Sequence, residues 1–228
     1  MSTVLVAGAT GAVGTALVPR LRAAGFEVIP HVRPQTASRH PLGQDPQALV
    51  ADLGDAPALA AAMARAQSVV CLVGTMRRRF SAGDTYESSD YRPVEQLVQS
   101  AQRLPAQAPR HFVLLTALGA RPGSGYLGWK FKAEEVVRHS GLPHTILRPS
   151  FLDSTRSGSQ ASDGTQRKPP PLVGGLLRAV GFIPGLRGLS DDLRVMPVEV
   201  LCEAIGRIVR DRAPVGTLEG RDLWALRA

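Results

Sequence analysis

Tyr126 and Lys130 are the two side chains of this 228-residue sequence best suited to acid–base chemistry. They lie four residues apart in GYLGWK, at the start of a predicted helix, so both fall on one helical face. An ammonium beside a tyrosine favours the phenolate form. Such a hydroxyl can give a proton to a carbonyl oxygen while a hydride reaches the carbonyl carbon. The same spacing also arises by chance, with the tyrosine packed at an edge and the lysine in solvent.

A second hydroxyl, which would orient the carbonyl, is expected close to this pair. Thr116 stands at the end of a predicted strand and is the best-placed candidate. Ser124, two residues before Tyr126, is the alternative.

The segment GATGAVG, residues 8–14, joins the first predicted strand to the first predicted helix. Gly8 permits a tight turn, Gly11 lets the backbone approach a pyrophosphate, and Gly14 lets the helix pack on the strand. The free N–H groups and the positive dipole end of the helix then face the phosphates. This context predicts a dinucleotide site, and the alternative is a plain glycine turn.

The end of the second predicted strand indicates which dinucleotide binds. An NAD site places Asp or Glu there to bond the ribose 2′-OH. This sequence has HVRP at 31–34, and no carboxylate lies between residues 27 and 45. Arg33 is therefore predicted to meet a 2′-phosphate, with Arg39 as a weaker second candidate, and NADPH is preferred over NADH. The alternative for Arg33 is a solvated loop arginine. Asp52 follows the third predicted strand, and two interpretations of it stay open: its carboxylate accepts a hydrogen bond from the adenine amine, or it caps a turn.

Alternating strands and helices position these residues. Strands are predicted at 3–7, 26–32, 47–53, 68–74, 111–120 and 143–149, and helices at 13–24, 57–66, 88–104, 129–141 and 197–211. The alternation predicts an α/β fold, a doubly wound parallel sheet with right-handed crossovers. Pro19 is expected to kink the first helix or remove one of its bonds, and Pro30 to end or bend the second strand.

The pattern changes in the C-terminal third. Residues 1–152 are predicted to form the dinucleotide-binding core, and residues 153–228 a small substrate-side annex with a closing helix, in the same domain. The polar segment 154–171 is predicted to be a mobile loop. The apolar segment 173–186 is interpreted as a lid over the site, with a contact surface for a protein or a membrane as the alternative.

Charge and cysteine content limit the partners. Lys and Arg number 27 against 19 Asp and Glu, a net charge of +8 that favours anionic partners. The arginines are scattered without a dense basic stripe, so no nucleic-acid partner is expected. The run of arginines at 77–79 either holds an acidic substrate or protein partner or is a solvated loop. Cys71 and Cys202 are too few for a four-ligand zinc site, and no metal is expected. The absence of a signal peptide and of a long apolar run predicts a cytoplasmic protein without a membrane segment.

Taken in order, several motifs resemble one superfamily. They are GATGAVG, CLVGT, LLTALGA, Tyr126-x-x-x-Lys130, KFKAEEVVRHSGL and TILRPSF. Together they resemble the short-chain dehydrogenases/reductases, and they are most similar to the atypical NmrA-like and Tat-interacting-protein-like NAD(P)-binding members. The resemblance covers residues 3–152 well and 190–212 loosely.

The resemblance implies a Rossmann fold with NADP at the glycine loop. It implies Tyr126 as the acid–base residue and Lys130 as the residue that holds the nicotinamide ribose. It also places Pro149 and Ser150 near the nicotinamide. The expected cofactor-binding residues are Gly8, Thr10, Gly11, Ala12, Val13, Gly14, Arg33, Asp52, Leu53, Val73, Gly74, Thr75, Lys130 and Pro149. The expected catalytic residues are Tyr126, Lys130 and Thr116. The sequence departs from the family after the fifth strand, where Thr116, followed by Ala117, stands in place of the usual serine.

Two functions follow from these features. The first is an NADP(H)-dependent oxidoreductase that transfers a hydride to a small, unidentified carbonyl substrate. The alternative is a noncatalytic NADP-binding regulator or assembly factor that acts through protein–protein contacts, because many atypical members have lost catalysis.

Overall fold

Seven parallel strands form one sheet, and their order across the sheet is Leu49–Val50, Glu27–Val32, Thr3–Ala7, Ser68–Cys71, His111–Leu115, His144–Arg148 and Gly216–Glu219. The computed structural model describes residues 2–74, 80, 83–104, 109–153 and 194–227. The chain starts in the middle of the sheet, builds outwards on one side, and then crosses over to the other. Every pairing in this sheet is parallel. The carboxyl ends of its strands therefore share one edge.

The described strands are short and mostly buried. They are β1 (Thr3–Ala7), β2 (Glu27–Val32), β3 (Leu49–Val50), β4 (Ser68–Cys71), β5 (His111–Leu115), β6 (His144–Arg148), β7 (Leu152–Asp153), β8 (Met196–Pro197) and β9 (Gly216–Glu219). The helices are α1 (Ala12–Ala23), α2 (Pro34–Ala37), α3 (Ala56–Arg65), α4 (Arg92–Gln102), α5 (Gly125–Arg138), α6 (Val198–Asp211) and α7 (Gly220–Ala225). A π-helical turn, Glu87–Tyr91, leads into α4.

Successive strand residues point to opposite faces of the sheet and bury two separate cores. On one face Val4 and Val6 pack with residues of α1 and α6, such as Leu17. On the other face Leu5 packs with residues of α3, α4 and α5, such as Leu97. Helices therefore cover both faces, and the predicted doubly wound parallel sheet is confirmed.

Pro30 does not end β2 early, contrary to the sequence expectation. β2 continues to Val32, and Pro30 lies opposite Val6 of β1. β3 pairs only with His31 and Val32. At Pro30, β2 therefore pairs with β1 but not with β3. Because β3 offers no partner there, the N–H that proline lacks is not needed for a hydrogen bond between the strands. Helix α1 continues past Pro19 to Ala23, and Pro19 has no N–H to donate to the carbonyl one turn earlier, which is the expected loss of one helical bond.

Several predicted boundaries were wrong. The third strand, predicted with its exit at 47–53, is only Leu49–Val50, and the fourth, predicted at 68–74, ends at Cys71. The fifth, predicted to run into a loop within 111–120, ends at Leu115. The helix predicted from residue 129 begins at Gly125, because Ser124 with extended backbone serves as its N-cap. The helix predicted at 88–104 begins with the π turn and ends at Gln102.

The described part of the predicted annex completes the main sheet. β9 pairs with β6, and α6 packs beside α1 in the same core. The sequence analysis missed β9 and α7 because both are short and polar. The predicted mobile loop and lid lie outside the described residues, as do residues 77–79. No helix in the described part of the chain is long and apolar enough to cross a bilayer.

Candidate active site

The glycine segment turns tightly against the end of β4. Gly8 has φ +83°, and its carbonyl accepts a hydrogen bond from the Gly11 N–H at 3.0 Å. A Cβ at Gly8 would lie 2.9 Å from the Leu72 carbonyl carbon and 3.0 Å from the Val73 nitrogen. Two segments predicted to border the cofactor are thus brought into contact. Thr75, predicted to lie in the second of them, is outside the described residues.

The start of α1 requires glycine at position 14 and leaves open space at Gly11. A Cβ at Gly14 would lie 2.4 Å from the Gly8 oxygen and 2.6 Å from the Cα of Ala9, so a side chain there would collide with backbone. A Cβ at Gly11 would meet only the Gly8 oxygen, at 3.3 Å, and has open space elsewhere. No side chain caps α1, and its first turn has no acidic residue. The N–H groups of residues 12–14 therefore fit a phosphate.

The end of β2 lies at the same sheet edge as the glycine turn. Arg33 is the half-buried residue that precedes α2. His31 is buried, with Nε2 2.9 Å from the Ala51 carbonyl oxygen. Burial, and to a smaller extent the charge of Arg33, lowers the pKa of His31 and keeps it neutral. Asp52 is exposed and Leu53 half-buried on the neighbouring connection.

Lys130 forms a buried ion pair with Asp90. Its Nζ lies 2.8 Å from Oδ1 of Asp90, and the two side chains are 6% and 0% exposed. Burial lowers the pKa of Lys130, but negative charge on the oxygens of Tyr126 and Asp90 outweighs this effect, and the pKa of Lys130 is raised. Lys130 is therefore an ammonium held in a fixed position.

Gly74 links this ion pair to the glycine turn. A Cβ at Gly74 would lie 3.0 Å from Nζ of Lys130 and 3.3 Å from Oδ1 of Asp90. Burial raises the pKa of the nearby Cys71 thiol to about 11, so Cys71 is uncharged at neutral pH. The segment 72–74 therefore contacts Gly8 at one end and the ion pair at the other.

Tyr126 lies in the first turn of α5, next to Lys130. The Lys130 Nζ is 5.8 Å from the centre of the Tyr126 ring. The ring of Tyr86 also approaches it, with 5.8 Å between ring centres. The predicted pair is thus brought together in the structure.

The Thr116 hydroxyl is engaged in a buried charge network. It donates to Oε1 of Glu134 at 2.7 Å, and Glu134 lies one helical turn beyond Lys130 on α5. The Glu134 carboxylate also binds Arg148 at 2.6 Å and Arg138 at 2.8 Å. Arg148 continues to Glu219 of β9 at 2.9 Å. A substrate carbonyl at Thr116 would have to compete with Glu134 for the hydroxyl proton. The predicted catalytic role of Thr116 stays a prediction.

The remaining predicted residues follow β6. Pro149 is buried, and its carbonyl accepts from the Leu118 N–H at 3.0 Å. The Ser150 hydroxyl donates to the carbonyl of Arg194. Ser124, the alternative hydroxyl, is exposed. These contacts connect the ends of β5 and β6 at the edge that carries the site.

Asp90 and Glu134 are the residues that sequence reasoning missed. A signal was present, because Asp90 is in helical phase with the buried residues Val94 and Leu97, and Glu134 with the buried Val137. A carboxylate on an apolar face has to be paired. Within the described residues, no cluster of three His, Cys, Asp or Glu is placed to hold a metal ion.

Comparisons with known proteins agree with this geometry. The model of a family described as NAD(P)H-binding matches residues 8–171. The chain is 31% identical over 240 residues to the chloroplastic protein TIC 62 of Oryza sativa, covering 93% of this chain and 47% of that protein. The corresponding Pisum sativum protein is 30% identical over 177 residues, 66% of this chain and 33% of its own length. The chain thus spans less than half of these relatives. Sanguinarine reductase of Eschscholzia californica is 26% identical over 196 residues, covering 68% of this chain and 71% of that enzyme.

Solved structures share the fold. A short-chain dehydrogenase/reductase superfamily protein from Agrobacterium tumefaciens with bound NAD has a TM-score of 0.62 at 20% identity, covering 94% of this chain and 76% of that one. A human epimerase family protein with NADPH has a TM-score of 0.59 at 18% identity, covering 95% and 72%. Given the family match over most of the chain, this protein belongs to the NAD(P)H-binding family, which agrees with its resemblance to the atypical, NmrA-like short-chain dehydrogenases/reductases.

Proposed function

We propose that this protein is an NADP(H)-dependent oxidoreductase that reduces a small carbonyl compound, with Tyr126 as the proton donor. The observation that carries the proposal is the continuous contact from the glycine turn to the acid–base pair. Gly8 abuts Leu72 and Val73, and Gly74 abuts Lys130 and Asp90. A dinucleotide whose pyrophosphate binds at the glycine turn would therefore extend along this segment towards Tyr126.

Each residue has a distinct part in this proposal. The N–H groups at the start of α1 bind the pyrophosphate, and Lys130 donates hydrogen bonds to the nicotinamide ribose. A reduced nicotinamide dinucleotide supplies a hydride when bound. Tyr126 gives its proton to the carbonyl oxygen, the alcohol is released, and the phenolate takes up a proton from solvent. The name of the relative sanguinarine reductase supports a reductase activity.

The preference for NADPH is tested by calorimetric titration with NADPH and with NADH. A charge-assisted hydrogen bond contributes about 1.5–3 kcal/mol. Arg33→Ala is therefore expected to weaken NADPH binding roughly 10- to 150-fold and to leave NADH binding unchanged. Arg65→Ala, at the end of α3, is the matched control and should change neither. Equal affinity of the wild type for the two dinucleotides would contradict the proposal for Arg33.

Catalysis is tested separately with Tyr126→Phe. Loss of general-acid catalysis lowers turnover roughly 10²- to 10⁴-fold, and NADPH affinity should be kept because the ring remains. Tyr91→Phe, in the π turn before α4, serves as the control. If no carbonyl is reduced, and if an NADPH-dependent protein contact survives Tyr126→Phe, the noncatalytic regulator is the correct function. The cytoplasmic location stays a prediction.

A further inference from the structure

Three aromatic rings stand in series beside the proposed proton donor. The ring of Phe80 packs edge-on against Tyr86, with 5.0 Å between centres and an interplanar angle of 88°. Tyr86 in turn packs against Tyr126 at 5.8 Å and 53°. We call Phe80 and Tyr86 the aromatic wall. All three side chains are half-buried, so ring surface remains accessible.

The position of the wall in the fold assigns it to the substrate side. Phe80 and Tyr86 lie on the connection from β4 to α4, which follows the carboxyl end of β4. Ligands of open α/β sheets bind outside these carboxyl ends. Lys130, which the dinucleotide is proposed to contact, is buried, whereas the wall residues are partly exposed. The wall is therefore reached from outside, close to the Tyr126 ring.

The chemistry of the wall selects a class of substrate. Aromatic rings pack favourably edge-to-face or offset against a further flat ring. Neither member of the wall carries a formal charge, so the wall itself offers no ion pair to a phosphate or carboxylate group. We infer that the aromatic wall binds a flat aromatic ring carried by the carbonyl substrate of Tyr126. This inference rests on the proposed function.

Two aldehydes with the same reactive group test the inference. In 3-phenylpropanal and 3-cyclohexylpropanal the carbonyl is insulated from the ring by two methylenes, so the compounds differ mainly in ring planarity. The wild type with NADPH is expected to show a kcat/KM roughly tenfold higher for the phenyl compound, equivalent to about 1.4 kcal/mol. Phe80→Leu and Tyr86→Leu remove a ring but keep apolar bulk. In both variants the ratio of kcat/KM for 3-phenylpropanal to that for 3-cyclohexylpropanal should fall from roughly ten to about one.

Tyr91→Leu is the matched control. Tyr91 packs against Trp129 with the same centre-to-centre distance of 5.8 Å, but this pair borders a separate groove of about 500 Å³ that is lined by the π turn and α5. This variant should retain the preference. Equal kcat/KM for the two aldehydes in the wild type would overturn the inference, and so would an undiminished preference in Phe80→Leu. In either case, reduction of the aldehydes would still support the proposed function.

A binding measurement separates the two proposals if neither aldehyde is reduced. Equilibrium dialysis compares 3-phenylpropanol with 3-cyclohexylpropanol on the NADPH-loaded protein. Tighter binding of the phenyl compound, lost in Phe80→Leu, would support the wall although the proposed reduction had failed. Equal binding of the two alcohols would overturn the inference as well.

Discussion

Replacing Asp90 by alanine leaves the Lys130 ammonium buried without its counter-charge. The two side chains are 0% and 6% exposed and 2.8 Å apart, so solvent does not screen the pair. Breaking such a pair costs about 3–5 kcal/mol. That is a large part of a total stability of about 5–15 kcal/mol. For a chain of this size it corresponds to a decrease in Tm of roughly 6–20 °C.

Urea unfolding at pH 7, with an unchanged m-value, measures this loss. A double variant, Asp90→Leu with Lys130→Met, removes both charges and should recover most of the stability, since an apolar pair replaces a buried ion pair at little cost. Arg65→Ala breaks a pair of similar length, 2.9 Å, whose side chains are 53% and 39% exposed. It should cost about 1 kcal/mol or less.

The pH dependence gives an independent check. The pKa of Lys130 is raised in the folded protein, so its contribution is complete below the ordinary lysine pKa of about 10.4 and is lost as pH rises through the higher folded pKa. In Asp90→Ala, burial acts on the ammonium without the carboxylate and lowers that folded pKa. The stability gap between the wild type and Asp90→Ala should therefore narrow as the pH rises from 7 towards 10. A loss below about 1 kcal/mol at pH 7, as for an exposed pair, would refute the reasoning.

Three further predictions follow from other contacts. Gly14→Ala should destabilise the protein and abolish NADPH binding, because the added Cβ would lie 2.4 Å from a backbone oxygen. The control is Gly206→Ala in α6, where a Cβ meets nothing within 4 Å; in urea unfolding it should be neutral or stabilising by about 0.5–1 kcal/mol. Burial lowers the pKa of His111 to about 4, so stability should be complete above about pH 6.5 and fall towards pH 4, and His111→Gln should flatten this pH profile of unfolding. Thr116→Val should lower the free energy of unfolding by about 1.5–3 kcal/mol, because it removes the hydrogen bond to Glu134. It should reduce turnover less than Tyr126→Phe does, and a larger loss of turnover in Thr116→Val would establish a catalytic threonine.

Local pattern was sufficient to predict the sheet and the glycine turn. Buried parallel strands are apolar on both faces, so runs such as 3–7 stand out in the sequence. The need for glycine at positions 8 and 14 follows from backbone contacts that recur wherever a strand leads directly into a helix around a phosphate. Periodicity also placed Tyr126 and Lys130 on one helical face.

Pairings between distant segments were not predictable in this way. Asp90 and Lys130 belong to different helices, and nothing local to either one indicates that they meet. β9 is short and polar, and it forms a strand because the edge of β6 is open to it. Thr116 was chosen for its place at the end of β5, but its hydroxyl bonds Glu134, which only the packing of α5 against β5 and β6 brings within reach.

The pairing of β6 with β9 also bears on how the chain is made. Arg148 and Glu219 are 71 residues apart, so β9 leaves the ribosome well after β6. Until it arrives, β6 exposes unpaired backbone groups beside apolar residues, which is the condition under which sheets join edge to edge. During synthesis there is therefore a stage at which the unpaired edge of β6 can pair with a strand of another chain. A chain truncated after Arg212 would keep that edge permanently and is expected to aggregate.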